Sequence, residues 1–340
     1  MFATEPAMFN SLSGHLQRLS RDWFLAGMLL AVLLASFFPD AGRSGGWLHM
    51  ENIVDIGVAI VFFLHGLTIS FESFKAGLMR WPVHVVVQLL TFAFFPLLFY
   101  PFQALFAGVI PSALMLGFLY LCVLPSTITS SVAMTGMAKG NVPAAIFNAT
   151  LSSILGIVMT PLLVGLMAST RGAGGLPLLD TILGIARMLL LPLFVGQLLR
   201  PLLFRWYSRY KAITGKLDKL VILMLVFAAF CDSVAAGLWR NHGAEIIVVT
   251  LAGAAVLLAI VLVMSTLLAR RLGFNTEDEI TIVFCGSKKT LASGVPMAAL
   301  LFGTNPSLGL IVLPIMFYHQ LQLFVCSILA ARYARRLVTG

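Results

Sequence analysis

Charged residues are scarce in this chain. Asp, Glu, Lys and Arg make up only 10% of its 340 residues, with 13 acidic residues against 22 basic ones, whereas soluble domains average about 25%. The chain is 60% hydrophobic and has a mean hydropathy of +1.00, which is typical of polytopic membrane proteins. We therefore expect a lipid bilayer around it and no nucleic-acid partner. The net charge of +9 is then a topology signal.

Cysteines and catalytic motifs are also sparse. The four cysteines lie in apolar segments and have no CxxC spacing, so neither a disulfide framework nor a zinc site is predicted. The sequence contains no Walker A loop and no HExxH motif, which excludes the enzyme classes that depend on them. We predict that the protein is not an enzyme and needs no cofactor, with a sodium ion as the single candidate.

Ten apolar segments are long enough to cross a bilayer, which takes about 20 helical residues. They cover residues 22–38, 53–71, 82–104, 112–137, 143–168, 178–200, 217–238, 244–269, 279–303 and 307–331. Residues 1–21 lack the apolar core of a signal peptide. We expect them to be a cytoplasmic arm, and residues 332–340 a cytoplasmic tail.

The basic residues fit this count. With both termini inside, sixteen of the 22 lie at the inner ends of the spans and three lie in outer loops. The remaining three, Arg187, Lys288 and Lys289, fall within the membrane. Cytoplasmic loops carry the excess of Lys and Arg in membrane proteins. We therefore expect an integral protein of a plasma or bacterial inner membrane, with both termini cytoplasmic.

Ten spans divide into halves of five, residues 22–168 and 178–331. An odd number of spans gives the halves opposite orientations, and inverted repeats are typical of secondary transporters. The most polar stretch of each half falls in its fourth span: residues 125–131 (PSTITSS) and 286–290 (GSKKT). We predict an all-α membrane protein of two inverted five-helix repeats, with breaks in spans 4 and 9.

Lys288 and Lys289 lie side by side near the middle of the apolar segment 279–303. Charges at such depth are commonly held in a protein-lined cavity and mark a substrate or ion pathway. We expect a helix break here, with Ser287 and Thr290 beside the lysines in the site. Two alternatives stay open. Both lysines could lie in a cytoplasmic loop, or one could reach the membrane interface along its flexible side chain.

Hydroxyl and amide side chains form a second candidate group. Residues 125–131 hold five hydroxyls, and hydroxyls beside unwound backbone can bind an ion or an anion. The alternative is a Ser/Thr-rich helix contact. Asn148 and Ser152 share a helix face in span 5, and Gln88 is a mid-span amide in span 3. The candidates in this group are Thr129, Ser130, Ser131, Asn148, Ser152 and Gln88.

Three further polar residues within the spans are candidates for proton or anion contacts: His65, Asp232 and Arg187. Histidine titrates near neutrality and therefore suits a proton relay. Asp232 fits a position at the membrane edge equally well. Arg187 could contact an anion, although a pairing with Asp180 is the default expectation.

Three stretches carry a resemblance to a known family: VAIVFFLHGLTIS (58–70), the segment 124–163 and FCGSKKTLASGVPMA (284–298). They resemble the bile acid:sodium symporter family, and its SBF-like branch most closely. The resemblance implies a panel domain of spans 1, 2, 6 and 7 and a core domain of spans 3, 4, 5, 8, 9 and 10. Spans 4 and 9 would be broken and cross at mid-membrane, with the substrate cavity between core and panel.

The resemblance also implies ion sites. Sodium-coupled members hold one sodium among hydroxyls and amides of spans 4 and 5, where this chain has Ser130, Ser131, Asn148 and Ser152. Their second sodium uses a Gln of span 3, here Gln88, together with an acid and a Gln of span 9. These last two positions are Phe284 and Lys288 in this chain. Since an ammonium group can replace a monovalent cation among oxygen ligands, we expect Lys288 or Lys289 to occupy the place of that sodium.

The expected function is secondary transport of an organic anion by alternating access. The substrate would be bile-acid-like, steroid-sulfate-like or a small carboxylate. Transport would be sodium-independent, either facilitated or proton-coupled through lysine deprotonation. The alternatives are a sodium-coupled symporter that keeps one sodium site, and a non-transporting membrane regulator of the same fold. The expected partners are the substrate and the bilayer, and the protein would be a monomer or a homodimer.

Overall fold

The structure, a computed structural model, describes residues 23–68, 79–169, 183–184, 186–237, 245–303 and 305–339. The predicted arm at 1–21 and the predicted partner of Arg187, Asp180, lie outside the described residues. Within the described ranges all regular secondary structure is helical, as the predicted all-α fold requires.

The described helices divide between the two halves of the chain. In the first half they are α1 (Trp23–Phe37), the short α2 (Pro39–Gly42), α3 (Met50–Thr68), α4 (Trp81–Phe106), α5 (Ser112–Val123), α6 (Thr129–Met137) and α7 (Val142–Ser169). In the second half they are α8 (Ala186–Arg209), α9 (Lys211–Ala235), α10 (Glu245–Arg271), α11 (Thr276–Gly286), α12 (Gly294–Phe302) and α13 (Leu308–Thr339). Helix α4 contains a π-helical turn at Leu90–Phe94.

The surface of the bundle is apolar. Helices α4, α7, α8, α10 and α13 are long and apolar enough to cross a membrane, and α1, α3 and α5 contain shorter apolar stretches. Large apolar side chains on their outer faces are exposed, among them Leu29, Leu97, Leu198 and Val263. Such a surface is stable against lipid, and helices satisfy their own backbone hydrogen bonds there. The chain is therefore a polytopic all-α integral membrane protein.

Both polar stretches interrupt a helix. Residues 124–128 separate α5 from α6, and residues 287–293 separate α11 from α12. At the first break, Pro125 has no backbone N–H and disfavours helical geometry in the residue before it, so Leu124 is extended with ψ 151°. Most residues of both breaks are buried. The helix ends at the breaks therefore lie inside the protein and need partners there.

Two glycines set the closest helix contact. Helix α3 packs mainly against α8, and α1 against α9. A Cβ atom added at Gly66 of α3 would collide with the backbone of Leu193, and one added at Gly196 of α8 would collide with the backbone of Phe63. Small residues allow such close approach in membrane proteins. Elsewhere α13 packs against α5 and α10, and α11 packs against α4 and α10.

Charged side chains anchor the first turns of α11. Glu279 accepts two hydrogen bonds from Arg270, both at 3.0 Å, and one from the Tyr333 hydroxyl at 2.7 Å. Asp278 lies 3.4 Å from the guanidinium of Arg80. The bidentate geometry of the arginine pair adds orientation as well as energy. The helix that leads to the second break is thus tied to α10, α13 and the start of α4.

Replacement of Gly196 by alanine is expected to destabilise the protein by about 1–3 kcal/mol, because the added methyl meets backbone atoms that cannot rotate away. The unfolding midpoint in detergent, followed by tryptophan fluorescence, should fall by several degrees. Gly184→Ala is the matched control, since a Cβ there meets no atom within 4 Å. Equal midpoints for the two variants would contradict the close α3–α8 packing.

Candidate substrate and ion site

The two helix breaks are in contact. The backbone N–H of Thr290, in the second break, donates to the carbonyl of Pro125, in the first, at 3.0 Å. The Tyr120 hydroxyl of α5 donates to the carbonyl of Gly294, where α12 begins, at 2.5 Å. The polar stretches that the sequence places far apart therefore form one buried site.

Lys289 places its ammonium group among three backbone carbonyl oxygens. The Nζ atom lies 2.7 Å from the oxygen of Leu124, 2.9 Å from that of Cys122 and 3.0 Å from that of Thr91. It also lies 4.0 Å from the ring centroid of Phe95. An ammonium group has three donors, so each of them has an acceptor here.

The positions of these carbonyls explain why a cation is held. Cys122 and Leu124 lie at the C-terminal end of α5. Backbone carbonyls have no helical partner there, and this end carries the partial negative charge of the helix dipole. Thr91 lies in the π-helical turn of α4, and such turns frequently occur at functional sites. The aromatic face of Phe95 adds a cation–π contact. The site is therefore built for one positive charge.

Lys288 has a different environment. Its Nζ atom donates to the carbonyl of Ser130 at 2.7 Å and lies 5.6 Å from the ring centroid of Phe284. Both lysine side chains have 0% relative exposure. The alternatives of a cytoplasmic loop and of one lysine reaching the membrane interface are therefore wrong, because both side chains are enclosed by the two breaks and their neighbours.

Hydroxyls of the first polar stretch, residues 125–131, cap the end of α11. The Ser131 hydroxyl donates to the carbonyl of Phe284 at 3.2 Å, and the Ser126 hydroxyl donates to that of Cys285 at 2.6 Å. Since a carbonyl can only accept, these contacts fix where both hydroxyl hydrogens point. Lys289 does the same at the end of α5, where its ammonium group donates to the carbonyls of Cys122 and Leu124. Each broken helix thus supplies partners for the last carbonyls of the other.

Tyr120, Tyr318 and Gln322 form hydrogen bonds to the backbone in or next to the second break. None of the three was a candidate from the sequence. Tyr318 donates to the carbonyl of Ser287 at 2.6 Å. Gln322 accepts from the N–H of Lys289 and donates to its carbonyl, both at 2.8 Å. Like Tyr120, they are polar residues in apolar spans. The polar run 318–322 in the last span was the signal that could have identified two of them.

The remaining candidates of spans 3 to 5 make separate contacts. Thr127 contacts the hydroxyls of Ser130 and Ser131 at 2.6 and 3.0 Å. Gln88 donates to Asn148 at 3.3 Å (carbonyl) and 3.4 Å (side chain). The Ser152 hydroxyl accepts from the N–H of Ser126 at 2.9 Å, so it supports the break, and Thr129 lies on the wall of the cavity described next.

A cavity of about 500 Å³ opens beside the crossing. Its wall includes residues of α1, α3, α8 and α9 together with residues of both breaks and of α6, α7, α12 and α13. The polar wall residues are mostly hydroxyls, namely Thr127, Thr129, Ser130, Thr150, Ser153, Thr290 and Ser293, joined by His65, Lys219 and His319. Among the described residues that line it, none is Asp or Glu.

The sequence profile of the SBF-like CPA transporter family matches residues 22–335. The chain belongs to this family. It is 45% identical over 315 residues to the putative symporter YfeH of Escherichia coli and 44% identical over 315 residues to the uncharacterized protein PA2026 of Pseudomonas aeruginosa, each match covering 93% of both chains. It is 32% identical over 321 residues to sodium/bile acid cotransporter 7-B of Xenopus laevis, covering 93% of this chain and 92% of that one.

The family assignment confirms the resemblance predicted from the sequence. The family is one of transporters, so this SBF-like protein is a secondary transporter and not an enzyme. Its membrane location follows from the family and from the apolar helices together.

Of the three outlying candidates, one lies on the cavity of this SBF-like transporter. His65 is part of the cavity wall. Asp232 instead accepts hydrogen bonds from the N–H and hydroxyl of Ser44, at 2.7 and 3.1 Å, and so ties α9 to the loop after α2. Arg187 has an exposed side chain.

Lys289→Met is expected to lower the unfolding midpoint more than Lys288→Met. The first change removes the partner of three buried carbonyls and the second the partner of one, and each unsatisfied polar group costs about 1–3 kcal/mol. Methionine is apolar and about as long as lysine, so both variants keep their packing nearly intact. Thermal unfolding in detergent measures the difference. A larger loss for Lys288→Met would argue against the assignment of Lys289 as the better-bound cation.

Proposed function

We propose that this SBF-like transporter moves an amphipathic organic anion by alternating access and without sodium. In this proposal the Lys289 ammonium takes the place of a bound sodium ion at the crossing of two broken helices. The observation that carries it is the set of three carbonyl oxygens within 3.0 Å of Lys289 Nζ. A sodium ion and an ammonium group both place one positive charge among such oxygens. A cation attached to the chain cannot dissociate, so it cannot couple transport to a sodium gradient.

The composition of the cavity supports an anionic substrate. Helices α6 and α12 both begin at its wall, where Thr129, Ser130 and Ser293 line it. Helix N-termini favour negative charge through their dipoles and their backbone N–H groups. The basic side chain of Lys219 and the lack of Asp and Glu among the described wall residues add to this preference.

The apolar part of the wall supports a substrate with a hydrophobic body. It is formed by Phe24, Phe62, Ile154, Ile157, Leu193, Ile222, Met297 and Leu323. Ligand pockets of this kind bind the body of a ligand by apolar contact and orient it by a few polar groups. A bile-acid-like or steroid-sulfate-like anion fits this division better than a small carboxylate.

The packing of the helices supports a two-domain mechanism. The pairs α1 with α9 and α3 with α8 correspond to spans 1, 2, 6 and 7 of the proposed panel. The helices around the breaks correspond to the proposed core. Under the proposal of two inverted five-helix repeats, these domains move against each other and expose the cavity alternately to the two sides of the membrane.

Sodium-coupled symport with one retained sodium site is a second candidate. Gln88 Oε1 is buried and has no hydrogen-bond partner among the described residues, and the oxygens of Asn148 lie next to the same amide group. Ser130 and Ser131 would complete the predicted sodium ligands. The frog relative is named a sodium/bile acid cotransporter, which is consistent with this candidate.

Uptake into proteoliposomes separates the two candidates. With radiolabelled taurocholate as the probe, the initial rate is expected to change less than twofold when sodium is replaced by potassium or choline at constant ionic strength. Protein-free liposomes give the background. A tenfold or greater fall without sodium would favour the sodium-coupled candidate. Absence of uptake for taurocholate, a steroid sulfate and a small carboxylate alike would favour a non-transporting regulator.

A rescue experiment tests the role of Lys289 directly. Lys289→Ala leaves a space lined by the carbonyls of Thr91, Cys122 and Leu124, which a free cation can enter. Sodium chloride should raise the unfolding midpoint of this variant relative to choline chloride, because a ligand that binds only the folded state stabilises it. The wild type and Lys289→Met, whose site is filled, should not respond. Ammonium chloride is a second test salt. If neither sodium chloride nor ammonium chloride raises the unfolding midpoint of Lys289→Ala, the proposal that Lys289 replaces a bound cation is contradicted.

A further inference from the structure

We infer that the contact between Ser233 of α9 and Gly309 of α13 is a gate, which closes the cavity toward the side of the membrane where α9 ends. The inference rests on the alternating access of the proposed function and deepens it by naming a contact that must break. Helix α9 belongs to the proposed panel and α13 to the proposed core, so the contact joins the two parts that would move against each other.

Helices α9 and α13 both line the cavity, but away from this contact. The residues of α9 on the cavity wall lie between 215 and 222, and those of α13 lie between 319 and 323. Ser233 lies eleven residues beyond position 222, about 16 Å along a helix, and Gly309 lies in the first turn of α13. The two helices therefore meet beyond one end of the cavity.

The contact is close and buried. Ser233 has 0% relative exposure. A Cβ atom added at Gly309 would collide with Ser233 Oγ and would lie 3.2 Å from the carbonyl oxygen of Ala229. Small residues allow such close approach of helices in a membrane. The serine and the glycine thus close the space between α9 and α13 at this end.

The contact also supplies a hydrogen-bond partner to the start of α13. The first four N–H groups of a helix have no partner within it. One of these, the N–H of Gly309, donates to the Ser233 hydroxyl at 2.9 Å. The other three donate to atoms of residues 305–307 at 2.9–3.0 Å and belong to Ser307, Leu308 and Leu310. Of these four groups, the start of α13 therefore depends on α9 for one.

This hydrogen bond can be exchanged when the contact opens. The hydroxyl hydrogen of Ser233 has two acceptors, the carbonyl of Ala229 in its own helix at 3.0 Å and that of Pro306 at 3.2 Å. When α13 moves away, the hydrogen keeps the first of them, since a serine can donate to the carbonyl four residues before it. The N–H of Gly309 then faces the opened end, where water can replace the hydroxyl. The contact is therefore suited to break and form again.

Each partner in the contact is held by its own part of the protein. Next to Ser233, Asp232 binds the N–H and hydroxyl of Ser44, in the loop after α2, and α9 packs against α1. On the other side, a Cβ atom added at Gly117 of α5 would lie 2.6 Å from the carbonyl oxygen of Ile311 in α13. The boundary between the proposed panel and core thus passes between Ser233 and Gly309.

Labelling of an introduced cysteine tests the gate without a substrate. Ile154 lines the cavity and is 39% exposed, and the four native cysteines are buried. The full chain carrying Ile154→Cys is treated with a membrane-impermeant maleimide in membrane vesicles of each orientation. Labelling should be about tenfold or more faster from the side where α9 begins, which the basic residues predict to be cytoplasmic, because the closed state dominates.

Two further substitutions, each made together with Ile154→Cys, should open the gate. Gly309→Ala should raise the labelling rate from the side where α9 ends about fivefold or more, since its methyl group is incompatible with the closed contact and the population shifts to the open state. Ser233→Ala removes the acceptor of the Gly309 N–H and should shift the ratio of the two rates in the same direction. It provides a second test if Gly309→Ala does not fold.

Matched controls distinguish the gate from a general effect of substitution. Gly184→Ala adds the same methyl group where a Cβ meets no atom within 4 Å. Ser36→Ala removes a hydroxyl that donates to the carbonyl of Val32 in its own helix, at 3.0 Å. Both should leave the ratio of the two labelling rates unchanged.

The outcomes separate this inference from the proposed function. Labelling that is equal from both sides, or faster from the side where α9 ends, would overturn the gate. So would a ratio that neither Gly309→Ala nor Ser233→Ala changes. Anion transport would then still stand, because taurocholate uptake is measured separately. A shifted ratio in a protein that transports none of the tested anions would overturn the proposed substrate class and leave the gate standing. A shifted ratio together with uptake supports both.

Discussion

The requirement that buried backbone groups have hydrogen-bond partners governs this structure. In a membrane, helices meet the requirement by themselves, but a broken helix leaves carbonyls and N–H groups without partners. Here groups at each break form hydrogen bonds with the helix end at the other break. Lys289 from the second break donates to carbonyls at the end of α5. The hydroxyls of Ser126, in the first break, and Ser131, in the first turn of α6, donate to carbonyls at the end of α11. Each break therefore supplies hydrogen-bond partners for the helix end at the other.

The same requirement gives the two adjacent lysines different tasks. The backbone of Lys289 is held by Gln322, and its side chain reaches across α5 to the π-helical turn of α4. Lys288 reaches the start of α6 instead, where it meets one carbonyl and the ring of Phe284. Neighbours in sequence thus contact different helices, because outside a regular helix successive side chains need not follow a common face.

The cavity owes its character to the position of the breaks. Because α6 and α12 begin in the interior, their first residues and the hydroxyls beside them become part of its wall. Interior charge would be unfavourable there without partners. The described wall instead carries hydroxyls, the N-termini of α6 and α12 and one Lys side chain. Under the proposed function, the same arrangement serves both stability and substrate recognition.

Much of the architecture could be predicted from composition. The apolar surface, the helical class and the places of both breaks follow from hydropathy and from local features such as Pro125 and the run 286–290. Lys288, Lys289, Ser130 and Ser131 were recognisable as anomalies, since a polar side chain at mid-membrane needs a partner. Lys219, near the start of span 7, is one of the sixteen basic residues that the sequence assigns to the cytoplasmic side, because its place on the cavity wall depends on how α9 packs.

The amino-acid sequence by itself therefore determined that the protein lies in a lipid bilayer, where its helices form and where they break. These features depend on side-chain polarity and local backbone preference. The tertiary structure decided which partners the exposed polar groups find. Only the folded chain brings Thr91 to Lys289 across 198 positions, and only it places Gln322 between His319 and the second break. Contacts at this range depend on the direction of each helix end, which no local pattern specifies.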